Sequence, residues 1–464
     1  MVQKLTRRVA LITGPALFII IRLIPIEGLS PEGKAVLACT AWVALWWITE
    51  AVELPVTSIL PILIFPLSGA LTIEQTTSAY GNPFIYLFLG GFIIGLAIEN
   101  RNLHKRIAYN IIRVAGTGEK RVLLGMMVAT AFLSMWRSNT ATAIMMLPIG
   151  VSVMHHFGNS QPFSKNLMLG IAYAASIGGI ATLIGTPPNI ILAGIVRESM
   201  GYEISFLDWL LFGLPFSAIL LFLTWLWLTR YRVEKTDHSP ALELSSLGKM
   251  TPAEKRVALV FTLTAFFWIT RSFIWNKYIP GLDDTVIAIG GALLMFIIPA
   301  GEKNENLINW KEAKKLPWDV LVLFGAGLAI AKGFANTDLT VWLGAQFSLL
   351  GFMPTALIVL LILAAINFLT EITSNTATAS LILPLLITLS ASLHLDVLPL
   401  LAGAAISSSC AFMLPVATPP NAIVFSSGKV RIGNMVRAGL FLNITSIVLT
   451  YLFIKFIWNI IFHG

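Results

Sequence analysis

Apolar runs long enough to cross a hydrocarbon core of about 30 Å recur from Arg8 to the C-terminal end of the chain, with short polar stretches between them. They predict spans at 9–26, 34–52, 55–70, 83–99, 166–199, 206–229, 254–275, 283–300, 318–334, 398–424 and 436–460. Runs of this length point to α-helices, because a membrane barrel shows short alternating segments instead. Two more apolar segments, 122–154 and 355–388, are each too long for one helix, and each is interrupted at its middle by Ser-Asn-Thr. Both predict re-entrant hairpins. The expected fold is an all-α polytopic membrane protein of about 11 transmembrane helices plus two re-entrant helical hairpins.

Composition agrees: 56% of residues are hydrophobic and only 12% charged, outside the range of soluble domains. The formal charge of +8 suggests a nucleic-acid partner only until the basic residues are placed. They lie in short loops on one side of the expected spans, among them RNLHKR, GEKR, RYRVEK, KMTPAEKR, EKNENLINWKEAKK and GKVR, while MGYEIS, ANTDLT and LHLDV on the other side are neutral or acidic. The positive-inside rule accounts for this, with the N-terminus cytoplasmic, the C-terminus external and no nucleic acid required. The N-terminal basic cluster and apolar run show no small-residue cleavage site before Arg22, so they are expected to form a retained first span. Cys39 and Cys410 both fall in apolar segments and are expected to be buried thiols.

The polar interruptions repeat. SNTATA begins at Ser138 and again at Ser374, 236 positions later, and the same offset pairs Gly91 with Gly327, Asn100 with Asn336, Leu103 with Leu339 and Pro148 with Pro384. A second shared motif follows, GTPPN from Gly185 to Asn189 and ATPPN from Ala417 to Asn421, with Thr186 and Thr418 232 positions apart. An odd number of spans per copy turns the second copy upside down, the inverted repeat of many transporters. The expected organisation is an N-terminal segment and first span (1–33), a first repeat (34–232), a cytoplasmic linker (233–253) and a second repeat (254–464).

Ser, Asn and Thr are strong N-cap residues, and each SNT is followed by a helix-forming apolar run, so each is expected to cap a half-helix. About ten helical residues span half a hydrocarbon core, which places both caps, with their free amides and positive dipole ends, near the midplane. In a single copy these residues could simply glue helices together. Two identical copies at mirrored positions, each followed by TPPN, point instead to a binding site built from discontinuous helices. Consecutive prolines withhold backbone donors, leaving carbonyls near Gly185 and Ala417 for a cation or water, unless the motif is only a kink. Oxygen-only ligation without a carboxylate suits Na⁺ better than Ca²⁺. Paired helix N-termini suit an anion, although neither motif contains a basic residue.

Arg137 and Glu371 are ionisable residues within the hairpins, read either as functional groups or as local ties at the hairpin tips. His155 and His156 lack further His or Cys at metal-ligand spacing and are read as interfacial. The sequence contains no HExxH and no P-loop, and neither SNT serine has a nearby His or Lys to act as a base, so an enzyme is not expected.

With WWITEAVELPVTSILP at Trp46 to Pro61, the two SNT motifs and the two TPPN motifs, the chain resembles the divalent anion/sodium symporter family along its whole length. The resemblance implies a homodimer in a bacterial inner membrane, surrounded by lipid, whose protomers pair a scaffold domain with a transport domain that carries both hairpins and moves as an elevator. It implies a first sodium site at Ser134, Ser138, Asn139 and Gly185, and a second at Thr370, Thr373, Asn375 and Ala417, with Thr373 engaged through its carbonyl. Substrate carboxylates are expected at Ser138, Asn139 and Thr140 on one side and Ser374, Asn375 and Thr376 on the other, with Thr418 and Pro419 nearby. The implied activity is sodium-coupled symport of a C4 dicarboxylate such as succinate, malate or fumarate. The alternatives are a dicarboxylate exchanger of the same fold, or a citrate or sulfate transporter.

Overall fold

The computed structural model describes residues 2–116, 118–157, 160–230, 248–301, 305–347 and 353–462. Among these, every regular element is helical apart from one isolated bridge between Pro299 and Asn306. Five helical stretches are long and apolar enough to cross a membrane by themselves: Ile73–Asn100, Phe206–Leu228, Trp318–Asn336, Asn375–Ser392 and Ile432–Phe462. Residues 233–247 of the expected linker lie outside the described residues. Its end is a capping box, in which Thr251 accepts from the Glu254 amide and starts helix Pro252–Thr270.

Two expected spans are broken at TPPN, as 55–70 is between Leu54–Thr57 and Leu60–Ser68. The run 166–199 divides into Gln161–Ile180 and Pro187–Met200, and 398–424 divides into Val397–Ser409 and Pro419–Ser426. In both, the prolines of TPPN occupy the first positions of the second helix, where a missing N–H costs nothing. The hairpins form as Glu119–Ser134 with Asn139–His156, and Thr355–Leu369 with Asn375–Ser392. Their arms are longer than the ten-residue half-helices expected: 16, 18, 15 and 18 residues. At 1.5 Å per residue that is about 22–27 Å.

Leu103–Ala115 and Leu339–Phe347 fall between the expected spans. The first is amphipathic, burying Leu103, His104, Ala108 and Ile112, so no continuous apolar run announces it.

Gln161–Ile180 is buried along almost all its length and packs against both arms of the first hairpin, Phe206–Leu228 and Pro419–Ser426. Gly178 permits this, since a Cβ there would lie 2.3 Å from the Ala131 carbonyl oxygen. Val397–Ser409 plays the corresponding part against the second hairpin and Ile432–Leu452. Cys39 and Cys410 are both fully buried free thiols.

Candidate functional site

Ser138 and Ser374 stand immediately before their helices as N-caps with extended ψ angles of 140° and 131°. The Ser138 Oγ accepts from the Ala141 amide at 3.3 Å, whereas Ser374 makes no side-chain cap. Both caps open onto one cleft of about 1650 Å³, which Ser138, Asn139 and Thr140 line together with Ser374, Asn375 and Thr376. Gly185, Thr373, Ala417, Thr418 and Pro419 share its wall. Ser134 and Thr370 do not reach it; each is fully buried behind a cap.

Those two hydroxyls define a repeated geometry. Ser134 Oγ lies 2.8 Å from Asn139 Oδ1 and 2.6 Å from the Ala175 carbonyl oxygen. Thr370 Oγ1 lies 2.7 Å from Asn375 Oδ1 and 2.8 Å from the Ser408 carbonyl oxygen. A hydroxyl has one proton to give, so each cluster brings three oxygens together with a single donor. The electrostatic remedy for such a cluster is a small hard cation. At the first cluster the backbone comes close as well, because Gly179 and Gly185 have no side chains. A Cβ on Gly179 would lie 2.5 Å from Asn139 Oδ1 and 3.0 Å from the Gly185 carbonyl oxygen.

The amide is planar. With Oδ1 turned into the oxygen cluster, Nδ2 of Asn139 and of Asn375 points the other way, and both residues border the cleft. One side chain can therefore serve a cation behind the cap and an anion in front of it. Helix N-termini at Asn139–His156 and Asn375–Ser392 add free amides and positive dipole ends on the anion side.

The TPPN motifs tie up carbonyls of their breaks other than those of Gly185 and Ala417. Asn189 Nδ2 takes the carbonyl oxygens of Gly179, Ile180 and Thr182 at 3.2, 3.1 and 2.8 Å. Asn421 Nδ2 takes those of Ala411 and Leu414 at 3.3 and 3.0 Å. The asparagine that ends the motif thus satisfies much of the break that its prolines create. The Thr373 hydroxyl is also engaged, donating to the Leu369 carbonyl at 2.9 Å and lying 2.6 Å from Thr378 Oγ1.

Both ionisable tip residues have partners. Glu371 accepts from the amides of Phe412, Met413 and Leu414 at 2.7 to 3.1 Å and from Asn443 Nδ2 at 2.8 Å. It ties the second tip to the unwound stretch leading to Ala417. Arg137 forms an ion pair with Glu99 and reaches Met145 Sδ at 2.8 Å.

Three features of the site escape a reading of the sequence. The carbonyls of Ala175 and Ser408 complete the oxygen clusters, yet a backbone oxygen has no residue type to betray it. The cleft wall includes Trp47, Glu50, Leu54 and Pro55 of the WWITEAVELPVTSILP stretch, which the sequence marks without placing it at the site; Glu50 closes helix Pro31–Thr49 in a left-handed conformation with φ of 47°. The third is Glu99, at the edge of the cleft.

Helices interrupted at paired caps and meeting at one cleft define a membrane transporter. The fold agrees with solved structures: the Alcanivorax borkumensis YdaH transporter is similar with a TM-score of 0.59 at 17% identity, over 86% of this chain and 88% of that one. Neisseria gonorrhoeae MtrF, described as illuminating a class of antimetabolite efflux pumps, is similar with a TM-score of 0.60 at 13% identity, over 84% of each chain. The chain belongs to the sodium:sulfate symporter family, whose transmembrane region it matches over residues 3–463. Among its relatives, the sodium-dependent dicarboxylate transporter SdcS of Staphylococcus saprophyticus is 46% identical over 473 residues, 97% of this chain and 91% of the relative. SdcS of Staphylococcus aureus strain USA300 is 46% identical over 477 residues, 98% of this chain and 91% of the relative.

Proposed function

We propose that the chain is a secondary active transporter that carries C4 dicarboxylates such as succinate, malate and fumarate into the cell by sodium-coupled symport. The observation that carries this reading is the pair of donor-poor oxygen clusters, each sharing an asparagine amide with the cleft. A sodium ion sits in each cluster, using Ser134, Ser138, Asn139 and Gly185 on one side and Thr370, Thr373, Asn375 and Ala417 on the other. The two carboxylates of the substrate meet the two SNT caps, with Thr418 and Pro419 alongside. The names of the relatives support both the ion and the cargo.

Moving one charge across 100 mV costs about 2.3 kcal/mol, so a dianion entering an inside-negative cell faces roughly 4.6 kcal/mol. Two sodium ions cancel that term. A third would let the membrane potential drive uptake.

The protein works as a homodimer in the plasma membrane, with about eleven crossings, an inverted repeat, a cytoplasmic N-terminus and an external C-terminus. Both hairpins travel with the cargo as an elevator against a fixed scaffold. Glu50, Asn100, Lys315 and Asp319 line the cleft, and the charge pattern assigns all four to the cytoplasmic side, so the cleft is open inward.

The test is uptake of radiolabelled succinate into proteoliposomes, with the sodium gradient and the internal substrate varied separately. Symport predicts uptake that follows the sodium gradient with empty vesicles. Full-rate uptake in choline that depends on internal dicarboxylate would replace symport by exchange.

A further inference from the structure

Arg137 is the residue before the first cap, and its surroundings are not those of a substrate ligand. Three positions at four-residue spacing on helix Pro83–Asn100, namely Gly91, Gly95 and Glu99, face the non-helical parts of the first half-site. A Cβ on Gly91 would lie 3.1 Å from Ile184 Cδ1, in the break that leads to Gly185. One on Gly95 would lie 2.8 Å from the Trp136 carbonyl oxygen and 3.5 Å from Arg137 Cβ. Glu99, one turn on, holds the Arg137 guanidinium. An adjoining side of the same helix is fixed elsewhere: a Cβ on Gly90 would lie 2.7 Å from the Ala288 backbone, and the helix packs on Asp284–Ile297 and Pro252–Thr270.

This helix therefore offers the cap a nearly side-chain-free face ending in one charged group. The ion pair is largely shielded, with side-chain exposures of 14% for Arg137 and 33% for Glu99, so breaking it strands a charge in poor solvent. Both residues also line the cleft.

We propose that Glu99 is a positioning residue that acts through Arg137. Their ion pair latches the first SNT cap to Pro83–Asn100 while the cleft is open, and parts when the cap travels along the glycine face. The latch sets how the protein divides its time between the cleft-open state and the rest of the cycle. It rests on the reading above that the hairpins move relative to this helix.

The test uses a reporter cysteine in place of Ile144, which lines the cleft and is 56% exposed. The two native thiols are fully buried, so background labelling is low. In proteoliposomes whose cleft-open side faces the bath, an impermeant maleimide labels Ile144→Cys, and sodium plus succinate protects it. Adding Glu99→Gln should lower the labelling rate without ligand by at least about threefold, because the cleft-open state has lost its latch. Arg137→Met should act in the same direction, and the swap Glu99→Arg with Arg137→Glu should restore the parent rate, which a merely structural loss would not. Unchanged labelling in both single variants, with protection by sodium and succinate intact, overturns the latch and leaves the transport reading standing. Loss of protection in the parent reporter itself overturns the moving-site reading, and the latch with it.

Discussion

Replacing Asn139 or Asn375 by alanine separates the chemistry of the site from the stability of the fold. Each amide oxygen takes one internal hydrogen bond, from Ser134 at 2.8 Å or Thr370 at 2.7 Å. The partner hydroxyls keep a second acceptor, the carbonyl of Ala175 at 2.6 Å or of Ser408 at 2.8 Å. No buried donor is orphaned, so folding should lose only about 1 kcal/mol. Under the proposed function, transport loses two charged contacts at once, the oxygen on sodium and the N–H on a substrate carboxylate. At about 2 kcal/mol each, the sum is near 4 kcal/mol, close to a thousandfold in uptake at fixed concentrations. The near-identical geometry makes the two variants equal within about tenfold. The assay is initial-rate succinate uptake in proteoliposomes, alongside size-exclusion profiles and thermal melting of the purified protein. Near-normal uptake in either variant, or collapse of the folded protein in both, would refute the shared-amide reasoning.

Glu371→Gln keeps the shape of the second tip but turns one acceptor into a donor facing the amides of residues 412–414. A hydrogen bond to a charged group contributes about 1.5–3 kcal/mol, so the apparent sodium affinity should fall by at least about tenfold as the stretch leading to Ala417 loosens; an unchanged sodium titration of uptake would show that the carboxylate is not needed there. Pro187→Ala and Pro419→Ala each add an N–H at the first position of a helix, where it meets no intrahelical acceptor, so the sodium dependence should stay almost unchanged; a marked loss of sodium dependence would show that the prolines keep carbonyls free for the ion. An identical sodium concentration dependence would mark the prolines as simple helix starters.

The caps were legible because Ser, Asn and Thr stand out in apolar surroundings and occur twice in register. The double duty proposed for Asn139 and Asn375 rests on the same motif, since a primary amide has an acceptor and donors on opposite sides of one plane. Leu103–Ala115 was not legible, because its apolar positions share one face instead of forming a run. The partners of Glu371 could not be foreseen, since three are backbone amides of residues 412–414 and Asn443 lies 72 positions away. Glu99 is 38 positions from Arg137, and only the close approach at Gly95 brings them together. The TPPN motif is half legible. Its prolines announce the break, but Asn189 and Asn421 repair much of it.

The rigid amide plane has a thermodynamic corollary. If sodium fixes the orientation of Asn139 and Asn375 and thereby tightens the hold on dicarboxylate by some factor, dicarboxylate must tighten the hold on sodium by the same factor. Where sodium is plentiful, ions and cargo reinforce each other's occupancy. On the same premise, ions that leave into a sodium-poor cytoplasm take part of the cargo's affinity with them, without any signal addressed to it. Unloading is then a property of the ion concentrations on the two sides of the membrane.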